Sequence, residues 1–233
     1  MGARHISRGR ASGAGVPAAR WYKRVMPDES EASRNPVRQG IDDFDASYRD
    51  GAAPWDIGRP QIPFVRLLDV GEIRGRVLDV GCGTGEHALM AATAGLDVTG
   101  IDAAAIAIGL AREKAAERSL DVRFEVGDAL DMSGPEMRFD TVLDCGLFHV
   151  FGDEDRERFV TSLGGVVVPG GRYFMLCFSD KQPGDWGPRR VKEEELRQSF
   201  AHGWQVDSIE DSVIEITIRP EGSKAWLALF TRV

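Results

Sequence analysis

The sequence has few groups that bind metals or form cross-links. Its 233 residues include three cysteines and four histidines. Cys82, Cys145 and Cys177 lie far apart and make no C-x-x-C pair. That spacing excludes a disulfide framework and a zinc-ribbon type of metal site, so no metal is expected, and a reducing cytoplasm fits. No run of about 18 apolar residues occurs, so no membrane-spanning helix is expected. A basic surplus is also missing. There are 29 Lys/Arg against 37 Asp/Glu, a formal net charge of −8. Non-specific binding to nucleic acid or to an anionic membrane needs the opposite sign.

The charge is unevenly spread. Residues 1–26 hold six basic groups (Arg4, Arg8, Arg10, Arg20, Lys23 and Arg24) and no acid. Residues 27–233 hold 23 Lys/Arg and 37 Asp/Glu. The first stretch is rich in Ala, Gly and Ser and lacks the apolar segment of a secretory signal. It reads as part of a disordered basic tail over residues 1–40, an Arg-rich transit peptide being the alternative. The remainder, residues 41–233, suffices for one α/β domain. Its first part, residues 41–75, reads as an N-terminal lid or helical segment with a helix from about Gln61 to Val70. Phe44, Tyr48 and Trp55 mark the stretch before that helix as more than a linker.

From Arg76 on, the hydrophobic period switches repeatedly between strand and helix. Strands are predicted at Arg76–Val80, Asp97–Ile101, Val122–Val126, Phe139–Leu143 and Arg172–Phe178. Helices are predicted at Glu86–Ala94, Ala103–Arg118, Asp153–Val168 and Val191–Phe200. Such alternation builds βαβ units, hence a mostly parallel sheet with helices on both faces. Two long strand candidates close the chain, Val206–Ile218 and Ala225–Val233. Only about six residues, from Arg219 to Lys224, join them. A parallel crossover needs a dozen or more, so this pair is predicted to be an antiparallel hairpin.

Open α/β sheets bind ligands beyond the carboxyl ends of their strands. Four groups fall at such ends. Gly81-Cys82-Gly83-Thr84-Gly85 follows a strand and opens a helix, where glycines permit a tight turn and close backbone approach. Asp102 ends the second strand, placed to accept hydrogen bonds from ribose hydroxyls. Asp128-Ala129 ends the third, placed for the exocyclic amine of adenine. Asp144-Cys145-Gly146 ends the fourth, with Phe148 and His149 behind it. The loop spacing is G-x-G-x-G, and Glu86 stands where a dinucleotide fingerprint carries its third glycine. An acid there, with Asp79 nearby, disfavours a pyrophosphate and tolerates an amino group.

Val77-Leu78-Asp79-Val80-Gly81-Cys82-Gly83-Thr84-Gly85 strongly resembles the first motif of class I S-adenosylmethionine-dependent methyltransferases. Asp102, Asp128-Ala129, the stretch Phe139–Asp144 and the turn Pro169-Gly170-Gly171-Arg172 match the later motifs in position. The resemblance covers roughly residues 41–233. It implies a Rossmann-like seven-stranded sheet of order 3-2-1-4-5-7-6 with strand 7 antiparallel. It also implies S-adenosylmethionine as cofactor and S-adenosylhomocysteine as product. Implied cofactor contacts are Asp79, Gly81, Cys82, Gly83, Asp102, Ala103, Asp128, Ala129 and Cys145, the two cysteines through backbone or small size. The segment Pro54–Gln61 resembles the one preceding the sheet in the thiopurine S-methyltransferase and tellurite-resistance-type group. That adds Trp55 over the cofactor. Leu147–Phe151 and Trp186-Gly187-Pro188 resemble actinobacterial enzymes acting on quinones, phenols and heterocycles.

The expectation is therefore methyl transfer to an O, S or N atom of a small aromatic or heterocyclic molecule, in the cytoplasm. His149 is the candidate catalytic base, since a histidine titrates near neutrality by type; packing beside Phe148 and Phe151 is its other reading. Two alternatives of other classes remain, a dinucleotide-dependent oxidoreductase and a non-catalytic S-adenosylmethionine-binding module. No Asn/Asp-Pro-Pro-Tyr/Phe motif of nucleic-acid base methylation occurs. The sequence leaves the oligomeric state open.

Overall fold

A computed structural model describes residues 36–134, 137–184 and 186–233, with side chains from residue 43. The part of the basic tail before residue 36 lies outside the described residues. Helix α1 (Pro36–Arg49) begins inside the stretch read as tail and was not anticipated. Its signal was present. Val37, Ile41, Phe44 and Tyr48 recur at helical spacing, and Pro36 suits a first helical turn. The other elements are α2 (Ile62–Asp69), β1 (Arg76–Val80), α3 (Glu86–Thr93), β2 (Asp97–Asp102), α4 (Ala105–Glu117) and β3 (Arg123–Val126). They continue with β4 (Phe139–Cys145), α5 (Asp153–Val166), β5 (Val167–Phe178), α6 (Glu193–Ser199), β6 (Trp204–Ile216) and β7 (Arg219–Arg232).

The seven strands form one sheet of order β3-β2-β1-β4-β5-β7-β6. Strands β1 to β5 pair in parallel, and β7 is antiparallel to both β5 and β6. This is the predicted topology. The strand order reverses between β1 and β4, which puts the crevice for a ligand there. Alternation along the strands sorts the core onto two faces. Leu78, Val80, Tyr173, Met175 and Cys177 point to one face, with Phe159 and Leu163 of α5 and with Phe200, Trp204 and Phe230. Val77, Phe174, Leu176 and Phe178 point to the other, with Phe64 of α2, Leu89 of α3 and Ile108 of α4. Both central strands are covered on both sides, which is why they read as continuous apolar runs.

The closing hairpin differs in detail from expectation. β7 starts at Arg219, so only Thr217 and Ile218 form the turn. The residues that looked like a loop are absorbed by a bulge. Register shifts between Ile214 and Ile216, and Gly222 adopts a φ of +71°. A Cβ there would lie 2.4 Å from Val213 Cγ1. Pro169-Gly170-Gly171 is likewise a bulge inside β5, between the pairs Phe139–Val167 and Thr141–Arg172.

Candidate active site

The loop after β1 is built for close backbone approach. Gly81, Gly83 and Gly85 have φ of +67°, +53° and +85°. The Cys82 N–H donates to the Ile101 carbonyl at 2.9 Å, so the loop leaves β1 still tied to β2. Asp102 fixes it from the side. One carboxylate oxygen accepts from the Gly83 N–H and the other from the Ala104 N–H, each at 2.8 Å. Each oxygen keeps a second lone pair, so the pair of ribose hydroxyls has a place to donate. Burial raises the Asp102 carboxyl above its ordinary pKa, while these two N–H groups pull it down. Asp128 accepts from the Leu130 N–H at 2.9 Å through Oδ1.

Asp79 lies beneath the loop. Its carboxylate accepts from the Ala88 N–H at 3.0 Å, in the first turns of α3. Burial pushes it up to about 7, and the charges of Asp102 and Asp144 act in the same direction. Glu86 is committed to protein partners as well. Lys114 meets it at 2.9 Å and Arg118 at 3.0 Å. Burial opposes its ionisation, yet the hydrogen bonds from Arg118 and Lys114 hold it below the usual carboxylate range. Its charge is thus largely neutralised, and its expected repulsion of a pyrophosphate is weaker than the sequence suggests.

A strap covers the loop. The Trp55 indole N–H donates to the Tyr48 hydroxyl at 2.7 Å, and the ring of Phe44 meets Trp55 edge-on at 5.5 Å. The Tyr48 oxygen lies 2.7 Å from where a Cβ on Gly83 would be. The strap is moored to the turn end of the β6–β7 hairpin. The Thr217 N–H donates to the Pro54 carbonyl at 2.8 Å. The Gln61 amide donates to the Glu215 carbonyl and accepts from its N–H, both at 2.9 Å. Arg59 adds an ion pair to Glu215. In the same corner the Gln61 N–H donates to His87 Nε2 at 3.1 Å, and burial holds His87 down at about 4.

Past β4 the chain turns at Gly146, φ +84°, into a single helical turn over Phe148–Val150. Asp144 organises that turn. It accepts from the Leu147 N–H at 2.8 Å, the Phe148 N–H at 3.2 Å and the Tyr173 hydroxyl at 2.7 Å. Burial nonetheless pushes it up to about 7. The turn delivers His149 to the cavity wall. Its Nδ1 accepts from the Phe178 N–H at 3.0 Å. A ring whose Nδ1 lone pair is used in this way carries its proton on Nε2. Burial holds His149 down at about 3, with help from the charges of Arg156 and Arg190. With Nδ1 occupied in this way, Nε2 is the ring nitrogen left to meet a ligand.

One cavity connects these parts. Trp55, Gly81, Cys82, Gly83, Asp102, Ala103, Asp128, Ala129, Cys145 and His149 all line it. Asp79 does not, since it acts from below on α3. Sequence reasoning missed Ile57, Gln61, Leu147, Phe178, Ile214 and Ile216 as lining residues, of which Phe178 and Ile214 lie beside His149. Nothing local marks them, since strap, β5 and β6 meet there only in the fold. Phe44, Tyr48 and Phe151 line it, whereas Phe148 and Trp186, the other aromatics singled out, do not. Phe148 is wholly buried in the core. The residues present fit S-adenosylmethionine. Carboxylates stand where hydroxyl and amine donors would lie, and the one lining arginine, Arg59, is paired with Glu215. Among the described residues no cluster of three potential metal ligands occurs, and no helix is long and apolar enough to cross a membrane.

The sheet order and the loop at its switch point define a Rossmann-like, cofactor-binding α/β class. The comparisons narrow it. Residues 77–171 match a family model described as a methyltransferase domain. The chain is 40% identical over 178 residues to the 2-heptyl-1-hydroxyquinolin-4(1H)-one methyltransferase of Mycobacteroides abscessus, covering 72% of this chain and 78% of that one. A solved structure concerning the conversion of a disulfide bond into a thioacetal group during echinomycin biosynthesis superposes with a TM-score of 0.75 at 38% identity. It covers 82% of this chain and 92% of that one. The 1,6-didemethyltoxoflavin-N1-methyltransferase of Burkholderia thailandensis gives a TM-score of 0.72 over 89% and 94% of the two chains. At 21% identity that likeness is one of fold. The chain belongs to the S-adenosylmethionine-dependent methyltransferases and uses that cofactor.

Proposed function

We propose that this enzyme methylates an oxygen, sulfur or nitrogen atom on a small, flat aromatic or heterocyclic molecule, with a hydroxyquinolone-like compound the best-supported acceptor. The observation that carries this reading is the continuity of the cavity. It runs from Gly81, Gly83 and Asp102 to an end walled by Phe151, Phe178, Ile214 and His149. When bound, S-adenosylmethionine supplies an electrophilic methyl group: a bond from the acceptor atom to carbon forms as the carbon–sulfur bond breaks, and sulfur leaves with the electron pair as a thioether. The protein's part is alignment and exclusion of water. In this reading Gly81, Cys82, Gly83, Asp102, Ala103, Asp128, Ala129 and Cys145 form the cofactor end. Trp55 and Tyr48 roof it, and Asp79 supports α3 behind it. The strap held by Gln61 and Glu215 shields the reacting atoms. Three free cysteines, two of them buried, favour action in the reducing cytoplasm.

Isothermal titration with S-adenosylhomocysteine and NAD, then turnover of labelled cofactor with 2-heptyl-1-hydroxyquinolin-4(1H)-one, thiols and phenols, tests this. Binding of S-adenosylhomocysteine alone and transfer to at least one aromatic acceptor are expected. Cofactor binding without transfer to any of them would leave a binding module instead.

A further inference from the structure

We infer that the Nε2–H of His149 is a fixed hydrogen-bond donor that binds the acceptor as its oxygen anion, so that this site selects ionisable N-hydroxy or phenolic oxygens over thiols. The inference rests on the methyltransferase reading above and narrows its acceptor. Three observations support it. First, the ring cannot turn its acceptor nitrogen to the ligand, because Nδ1 is tied to the Phe178 N–H at 3.0 Å. Ring orientation is further fixed by the Phe178 ring, edge-on at 5.0 Å.

Second, the other edge faces the cavity. A Cβ built on Gly146 would lie 3.4 Å from His149 Cε1, 3.5 Å from Nε2 and 3.8 Å from Ile214 Cδ1. Gly146, His149 and Ile214 all line the cavity, and Gly146 leaves the space between them open. The hydrogen bond at Nδ1 points away from that space, and His149 itself lines the cavity.

Third, the charged groups acting on the ring are cations behind it, one of them paired with an acid. Arg156 of α5, paired with Glu195 at 3.1 Å, and Arg190 of the stretch before Val191, which donates to the Pro188 carbonyl, are those groups. Cys145 at the end of β4 lines the same cavity, and burial keeps its thiol protonated. Phe178 of β5 and Ile214 of β6 line the cavity with it. In this proposal the acceptor loses its proton to solvent before or during binding. A donor that holds an oxyanion strengthens binding of that anion, and it does not raise the anion's nucleophilicity. Oxygen anions accept such bonds well and sulfur accepts them weakly.

The test compares His149→Asn, which keeps an oxygen near the Nδ1 position for the Phe178 N–H, with His149→Gln, which keeps a donor near Nε2. Steady-state kinetics use 2-heptyl-1-hydroxyquinolin-4(1H)-one and benzenethiol. Titration calorimetry with the first compound in the presence of S-adenosylhomocysteine gives its affinity without turnover. A charge-assisted hydrogen bond corresponds to roughly a ten- to hundredfold effect. His149→Asn is expected to raise KM and Kd for the quinolone by about that factor with kcat preserved. KM for the thiol should move less than about threefold, and His149→Gln should restore most of the loss. Equal losses for both acceptors would make His149 a packing residue. A fall in kcat at unchanged KM, with loss of the acid limb of the pH profile, would restore the base. Either result overturns the inference. Failure to bind S-adenosylhomocysteine would instead defeat the underlying reading.

Discussion

Replacing His149 with Asn should change how stability depends on pH, by an amount the structure sets. His149 is held down at about 3, against an ordinary histidine value of 6.5. Below pH 6.5 the unfolded chain takes up a proton there that the native protein refuses. Stability from this group is complete above pH 6.5 and is lost progressively as pH falls toward 3. Between pH 7 and pH 5 the loss is about 2 kcal/mol. His87, held down at about 4, adds a similar loss. Asp79 and Asp144 work in the opposite direction. Each is pushed from 3.8 up to about 7, so the native protein holds protons that the unfolded chain has released. Their stability contribution grows as pH falls from 7 to 4, together by about 4–5 kcal/mol between pH 7 and 5. The four groups nearly cancel, and the wild type should vary little over this range from them. His149→Asn removes one opposing member. Urea unfolding followed by tryptophan fluorescence at pH 7 and pH 5 gives a double difference free of any constant cost of the substitution. The variant should gain about 2 kcal/mol more than wild type on acidification. A double difference below about 0.5 kcal/mol would mean that native His149 titrates nearly as a free histidine. A ring in contact with water to that extent would not be the fixed neutral donor described above.

Two other substitutions probe the cofactor end and the turn that carries His149. Gly83→Ala puts a Cβ 2.7 Å from the Tyr48 oxygen at a φ of +53°, so calorimetry should show at least about a tenfold loss of S-adenosylhomocysteine affinity, about 1.4 kcal/mol. Tyr173→Phe removes the 2.7 Å donor to Asp144 and should cost about 1–3 kcal/mol. The loss should be larger at pH 8 than at pH 6, because the carboxyl that has lost a partner is then ionised; equal losses in a thermal melt would contradict the assignment.

The sheet was legible because its rules are local. Strands buried on both faces need apolar runs, helices need their period, and a six-residue connection forbids a crossover. Those constraints give a mostly parallel sheet closed by an antiparallel hairpin, while the order of the strands comes from the resemblance to the methyltransferases. The errors fell where local chemistry has two uses. Pro169-Gly170-Gly171 and the Pro220–Gly222 stretch are ordinary turn signals, yet each is a bulge inside a long strand. A positive φ serves both purposes. Helix α1 was hidden by the Gly, Pro and Asp residues around it, although Phe44 and Tyr48 keep helical spacing. Its amphipathic face is completed from elsewhere in the chain, by Ala104, Ile106, Ala107 and Leu110 of the cofactor half and by Ala53 and Trp55 of the strap.

The two ends of the cavity differ for a physical reason. The cofactor end is made by residues that follow directly on strand ends, so their types are dictated within a few positions of the chain. Asp102 must accept from Gly83 and Ala104, and the glycines must take positive φ. The acceptor end is made by segments with no sequence relation. Gln61, Phe178, Ile214 and His149 meet because a hairpin at the far side of the sheet reaches back to a strap that precedes it. Histidine by type suggests a base, whereas the backbone N–H from β5 on Nδ1 supports the donor role proposed above. That bond is fixed by the register of β5 beside β4, with Cys145 opposite Leu176. The chemistry of His149 is therefore a property of strand pairing. Changing the Asp144 anchor that sets the turn should alter acceptor preference.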